Sequence, residues 1–160
     1  MAVTAEDEAH LRRCFELARE ARDAGNHPFG ALLVGPDGRV LAEARNTLVV
    51  GRDPTGHAET NLVRLAGTLD VDLATTTLYT STEPCAMCAG AIHWAGIGRV
   101  VYGLSEVELL ELTGPGNPAN PTMALPCRDV FAHGERGRPI VVDGPALEDE
   151  GRQVHEGFWR

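Results

Sequence analysis

The sequence predicts an α/β fold, a three-layer α/β/α sandwich in which one sheet is covered by helices on both faces. Three observations predict it. Helical and strand-like segments alternate along the chain, no internal repeat or low-complexity tract divides them, and 160 residues suit one domain spanning 1–160 better than two. Hydrophobic residues make up 43% and charged residues 23%, enough apolar side chains for a buried core and too few charges for a disordered chain.

The elements follow in order. Thr4 with Asp7 three residues on forms a variant of the capping box, and Leu11, Cys14, Phe15 and Ala18 recur at helical spacing until Gly25 offers a stop. Residues 30–34 and 39–44 flank Gly35-Pro-Asp-Gly38, a turn sequence that predicts a hairpin. After a polar stretch, residues 57–66 place Ala58, Leu62 and Leu65 on one stripe and predict a second helix. The β-branched and aromatic run 76–80 predicts a strand, and Pro84 then stands in the first turn of a helix over 85–95. Residues 99–103 read as a further strand, and Ser105-Glu-Val-Glu108 opens a short helix to about Thr113. Residues 114–122, rich in proline, glycine and asparagine, predict a mobile loop. A last strand over 139–142 precedes a helix carrying Leu147, Gly151, Val154 and Phe158 at helical spacing.

Charge and cysteine content exclude several function classes. Fourteen Lys and Arg face 23 Asp and Glu, a formal charge of −9, and nucleic-acid backbones are bound through clustered cations. Arg136 and Arg138 stand close together, but Glu135 and Asp129 interleave with them, the pattern of a solvated surface. No apolar run reaches the ~18 residues of a membrane span, and the first twenty residues are acidic rather than signal-like, so a soluble, cytoplasmic protein is expected. Four cysteines are too few for a disulfide scaffold, and Cys85 and Cys88 have the spacing of metal ligands.

Chemistry concentrates in His57-Ala-Glu59 and Pro84-Cys-Ala-Met-Cys88. Cys85 and Cys88 share a face at a helix start, where the positive end of the dipole favours thiolates. With His57 they form a three-ligand set that leaves the fourth tetrahedral position of zinc open, the arrangement of a catalytic site. Glu59, two residues from His57, is placed to move protons without being a ligand. Taken separately, His57 suits a helix cap, and the cysteine pair suits a redox motif or half of a structural zinc site. No second cysteine pair lies at zinc-ribbon spacing, and the preceding proline together with His-x-Glu favours the catalytic alternative.

In these residues the chain resembles the zinc-dependent cytidine deaminase superfamily, whose signature is His-x-Glu followed by Pro-Cys-x-x-Cys. Asn26-His-Pro-Phe-Gly-Ala31, Asn46, Asp53-Pro-Thr-Gly-His-Ala-Glu59, Thr77-Leu-Tyr-Thr-Ser-Thr-Glu-Pro-Cys85 and Gly98-Arg-Val-Val-Tyr-Gly103 are similar to the branch of bacterial guanine deaminases, nucleoside deaminases and tRNA adenosine deaminases. The likeness spans about residues 10–105 and implies a mixed five-stranded sheet, a homodimer and one Zn2+ per chain. It implies a zinc-dependent hydrolase, in which zinc-bound hydroxide displaces the exocyclic amine of a free nucleobase or nucleoside, guanine or a cytosine- or triazine-like base, and releases ammonia. Glu59 would be the catalytic proton carrier, His57, Cys85 and Cys88 the metal ligands, Phe29 a stacking platform and Asn46 a hydrogen-bond partner of the base.

Some points stay open at the level of sequence. Phe29 and Asn46 also suit a core position and a turn. Trp94 matches a pocket tryptophan of the guanine deaminases in sequence order, yet suits a dimer interface equally well. The further acidic residue that guanine deaminases carry after this strand finds only Glu108 and Glu111 as neighbours, which leaves the base unassigned. A tRNA adenosine-to-inosine deaminase and a non-catalytic, zinc-stabilised interaction module are the alternatives, and Glu59 argues against the second, since structural zinc does not need it. The tail 144–160, ending in Phe158 and Trp159, is expected either to cover the active site or simply to pack on the core.

Overall fold

Thr4 opens α1 (Ala5–Asp23) with a complete capping box: its hydroxyl accepts from the Asp7 N–H at 3.1 Å, and the Asp7 carboxylate accepts from the Thr4 N–H at 2.9 Å. The computed structural model describes residues 2–135, 137 and 139–160, so Arg136 and Arg138 lie outside the described residues. After α1, β1 (Gly30–Val34) and β2 (Val40–Arg45) form the antiparallel hairpin, turned by Gly38 at φ +82°. There follow α2 (Ala58–Ala66), β3 (Thr77–Thr82), α3 (Ala86–Ala95), β4 (Arg99–Leu104), α4 (Glu106–Thr113), α5 (Cys127–Ala132), β5 (Val141–Asp143) and α6 (Glu148–Gln153).

The five strands form one mixed sheet in the order β2-β1-β3-β4-β5. β1 runs antiparallel to β2 and β3, while β3, β4 and β5 are mutually parallel. Side-chain alternation along the strands makes two apolar layers. Leu32, Val34, Tyr79 and Val101 pack against Leu11, Cys14, Phe15 and Ala18 of α1. Ala31, Leu33, Leu78 and Val100 pack against Leu62 and Ala66 of α2 and Ile92 of α3. Helices therefore cover both faces, as the alternating pattern predicts. Contact between α1 and β1 is close: a Cβ on Gly30 would lie 2.5 Å from the Leu17 Cβ, so only glycine fits there.

At the start of β4 the half-buried Arg99 ties together two buried carboxylates. Its guanidinium donates to Asp7 at 2.9 and 3.0 Å and to Asp143 at 2.9 Å, and the Tyr79 hydroxyl donates to Asp7 at 2.7 Å. The start of α1 is thereby fastened to β4 and β5. No described helix is long and apolar enough to cross a membrane.

Some elements differ from their sequence expectations. Cys85, not Pro84, caps α3, so the proline precedes the helix. Leu65 is 46% exposed, because the phase of α2 turns Ala58, Leu62 and Ala66 inward instead. The six residues of α5, too short to show a period, lie in a stretch that carries no sequence signal for a helix. The final helix ends at Gln153, and Phe158 and Trp159 sit in the turns beyond it, with Gly157 at φ +71°.

Candidate active site

Two helix starts meet above β3. His57 is the N-cap residue of α2 and Glu59 stands in its first turn; Cys85 caps α3 and Cys88 follows in its first turn. The His57 Nδ1 lies 3.6 Å from the Cys85 Sγ and 3.4 Å from the Cys88 Sγ. One donor atom from each of the three residues falls within 4.8 Å of the others. One imidazole and two thiols at this separation fit the borderline-soft donor set of Zn2+, with a coordination position to spare.

Electrostatics prepare the thiols. The Cys88 thiol and His57 hold Cys85 down to about 4 in spite of burial, while Cys85 and burial together push Cys88 up. In return Cys85 raises His57, against its burial. One thiolate paired with one protonated neighbour is a poised ligand pair, since binding a cation displaces the remaining proton.

Glu59 is 5% exposed and burial pushes its carboxyl up, with the Thr80 hydroxyl opposing. Thr80 Oγ1 donates to Glu59 Oε1 at 2.5 Å, and the Cys88 thiol donates to Oε2 at 3.5 Å. Thr80 is on β3, so the strand fixes the rotation of the carboxyl beside the three-ligand cluster.

The cluster opens into a cavity of about 670 Å³, within the size range of small-molecule sites. Phe29 and Asn46 line it from the β1 and β2 side, as the resemblance implies. Asn46 also serves the turn: its Oδ1 accepts from the Leu48 N–H at 3.0 Å, so both sequence alternatives hold for this residue. Behind the wall lies the tail. Trp159 and Phe158 pack edge-on against His27, His155 against Phe29, and the Trp159 indole N–H donates to His155 Nδ1 at 3.0 Å.

The opposite wall holds residues that sequence reasoning missed. Thr82 and Glu83 at the end of β3, Glu106 at the start of α4, and 118–123 of the proline-rich loop all line the cavity. The loop is tied down: Asn117 and Asn120 donate to Thr113, and Thr122 donates to the Glu106 carboxylate. Glu83 is a strut, its two oxygens accepting from the Glu106 and Cys127 N–H groups at 2.9 Å each. Glu108 instead pairs with Arg152, and Glu111 is exposed; neither lines the cavity. The signal for Glu106 was its place in the first helical turn after a parallel strand, where sheet topology gathers binding residues. Trp94, 85% exposed, lies on the outer face of α3 and does not line the cavity of its own chain.

Comparison with known proteins places this geometry in a family. Residues 4–104 match the cytidine and deoxycytidylate deaminase zinc-binding region. The chain is 43% identical over 157 residues to the Schizosaccharomyces pombe protein named "Probable cytosine deaminase", covering 98% of this chain and 94% of the relative. It is 41% identical over 105 residues to the tRNA-specific adenosine deaminase of Haemophilus influenzae, covering 64% of this chain and 60% of the relative. Among solved structures, the guanine deaminase from Nitrosomonas europaea superposes with a TM-score of 0.76 at 26% identity, over 96% of this chain and 83% of that one. The chain therefore belongs to the zinc-binding cytidine and deoxycytidylate deaminase family, and is a zinc-dependent hydrolytic deaminase with the family's mixed five-stranded sheet.

Proposed function

We propose that the protein deaminates a nucleobase or nucleoside of the cytosine or guanine type, replacing an exocyclic ring amine with a carbonyl oxygen and releasing ammonia. The observation that carries this is the buried Glu59 carboxyl, held by Thr80 and facing Cys88 in the wall of a cavity of small-molecule size. His57, Cys85 and Cys88 hold the zinc. When bound, the metal supplies Lewis acidity that brings the ionisation of water within reach of neutral pH.

The chain's own residues handle the protons and the ring. Glu59 accepts one proton from the attacking water and delivers it to the ring nitrogen of the amidine, then takes the second proton from the newly added hydroxyl and passes it to the amine, so that the carbonyl forms as the C–N bond breaks and ammonia leaves. Thr80 keeps that carboxyl in one rotation through these transfers. Phe29, backed by His155 and Trp159, offers a face for the ring, and the Asn46 Nδ2, which has no partner among the described residues, can donate to the ring's edge. The tail acts on the site through this back wall.

Two further features belong to the proposal. Met87 and Trp94 are exposed on one face of α3, with Gly90 and Ala91 between them, and support a homodimer through that helix. Sedimentation of Trp94→Asp as a monomer, against a wild-type dimer, is the expected outcome; a monomeric wild type contradicts it. The thiols the metal needs suit a reducing, cytoplasmic setting. Among the described cavity residues Arg52 is the one permanently charged cation, which supports small substrates over tRNA. The test is ammonia release from cytosine, guanine, adenine, their nucleosides and a tRNA anticodon stem. Turnover of a free base or nucleoside above the stem supports the proposal, and turnover confined to the stem overturns it.

A further inference from the structure

Thr82 and Glu106 line the cavity together, and each has an oxygen with no hydrogen-bond partner among the described residues. Thr82 is 2% exposed, lines the cavity, and its hydroxyl has no hydrogen-bond partner among the described residues. An orphaned hydroxyl at this depth is costly unless something else satisfies it. Thr82 follows Thr80 by two residues on β3, so the two side chains share a face of the sheet, and the Thr80 hydroxyl bonds Glu59. Thr82 thus stands one pleat beyond the residue that anchors the proton carrier.

Glu106 lies two residues beyond Leu104, the residue that Thr82 faces across the parallel ladder, and lines the same cavity. Thr82 pairs with Leu104, and the Glu106 N–H donates to the Glu83 carboxylate at 2.9 Å, which carries the Glu106 side chain to the same rim. Glu106 is 4% exposed. Its Oε1 accepts from the Thr122 hydroxyl, and its Oε2 has no partner among the described residues. Burial first, then the charges of Cys85, Glu83 and Glu59, push this carboxyl up to about 7. Of the other cavity carboxyls, Glu59 is bonded by Thr80 and Cys88 and Glu83 is spent on two backbone N–H groups. Glu106 is left with an oxygen to offer a ligand.

We propose that Glu106 and Thr82 form a substrate-reading subsite that accepts a ring N–H of a free base, so that the enzyme selects bases over their nucleosides. A cavity of about 670 Å³ has room for a nucleoside, so size does not discriminate. Chemistry does. Cytosine and guanine each carry a ring N–H at the nitrogen that bears the sugar in the nucleoside, and glycosylation removes that donor. A buried carboxylate facing a glycosylated nitrogen stays desolvated and unpaired, the situation in which a site built for hydrogen bonding rejects an analogue most strongly. Thr82, a donor and an acceptor, suits the carbonyl or nitrogen beside that N–H.

The inference rests on the deaminase proposed above, and one experiment separates the two. Zinc-loaded wild type, Glu106→Gln and Thr82→Val are assayed for kcat and KM with cytosine, cytidine, guanine and guanosine, alongside zinc content, Tm and calorimetric binding of each compound. The wild type is expected to prefer free bases. Glu106→Gln should weaken free-base binding and kcat/KM by about tenfold, the difference between a charge-assisted and a neutral hydrogen bond, with nucleosides changed much less. Thr82→Val, isosteric and at home in a strand, should cost free bases about 3–10-fold by the same comparison and carries the test if Glu106→Gln misfolds. Equal losses for bases and nucleosides, or a wild type that handles nucleosides as well as bases, overturn the inference and leave the deaminase standing. A zinc-loaded wild type that neither binds nor converts any of the four overturns both.

Discussion

Thr80 Oγ1 lies 2.5 Å from Glu59 Oε1, a hydrogen bond between the middle of the sheet and the first turn of α2. It fixes the direction in which a buried carboxyl points, and so turns a strand residue into a positioning device. Replacing Thr80 with valine keeps the shape and removes the donor. Deaminase kcat is expected to fall about 10–100-fold, the usual worth of a hydrogen bond to a charged group, with KM and zinc content little changed. Equal changes in kcat and KM would point to general disruption instead.

Metal removal tests the ligand set. A bound ion that favours the folded state stabilises it in proportion to the logarithm of its free concentration. Chelation should therefore lower the wild-type Tm by several degrees and zinc should restore it. Cys85→Ala should hold no stoichiometric zinc after dialysis and show no such response. Retention of one zinc by that variant contradicts the assignment of Cys85.

Acid stability follows from Asp7. Burial by itself would raise its carboxyl, but the Arg99, Thr4 and Tyr79 hydrogen bonds override it and hold the group well below the usual carboxylate range. A carboxyl depressed in the folded state contributes stability above its unfolded value of about 3.9, and this is lost as pH falls below that value toward the folded one. Asp7→Asn should lower stability by about 3 kcal/mol near neutrality, since it strips one partner from a buried pair, and should flatten the acid limb. Urea unfolding from pH 7 to pH 3 measures both. Parallel wild-type and variant curves would rule out Asp7 as the source.

The tail is also expected to loosen in acid, through a base instead of an acid. Burial lowers His155 to about 4, with Arg22 adding to the effect, and Trp159 donates to its Nδ1, so the imidazole is held neutral. A base whose folded value is depressed binds protons better when undocked, so tail docking weakens as pH falls from about 6.5 toward 4. In a Trp94→Phe background, Trp159 fluorescence should shift to longer wavelength across that window. His155→Phe should abolish the shift, and a wild-type signal constant from pH 7 to pH 4.5 contradicts the coupling.

Legibility in the sequence tracked the range of the interaction. His57, Glu59, Cys85 and Cys88 can be found because short spacings place each pair at one helix start, and the residue types name the chemistry. The hairpin and α1 are equally local, written in Gly35-Pro-Asp-Gly38 and in the Thr4–Asp7 box. Thr82 and Glu106 are not local: an ordinary strand threonine and a helix-start glutamate gain their place from the pairing of Thr82 with Leu104 across the ladder. Proline and glycine in residues 114–122 predicted mobility, whereas side chains of Asn117, Asn120 and Thr122 fasten that loop to α4 as a cavity wall. Composition reports the backbone's freedom and is silent about such tethers.

Ammonia release by zinc-loaded Glu59→Gln, set against wild type with cytosine and with guanine, is the most direct test of the chemistry assigned to this site. An amide keeps the volume and the bond to Thr80 but cannot carry a proton, so the variant should keep its zinc, fold and bind base while turnover falls about 10²–10⁴-fold. A Glu59→Gln protein that releases ammonia within a few-fold of the wild-type rate would contradict the role of Glu59 as proton carrier, and the mechanism with it.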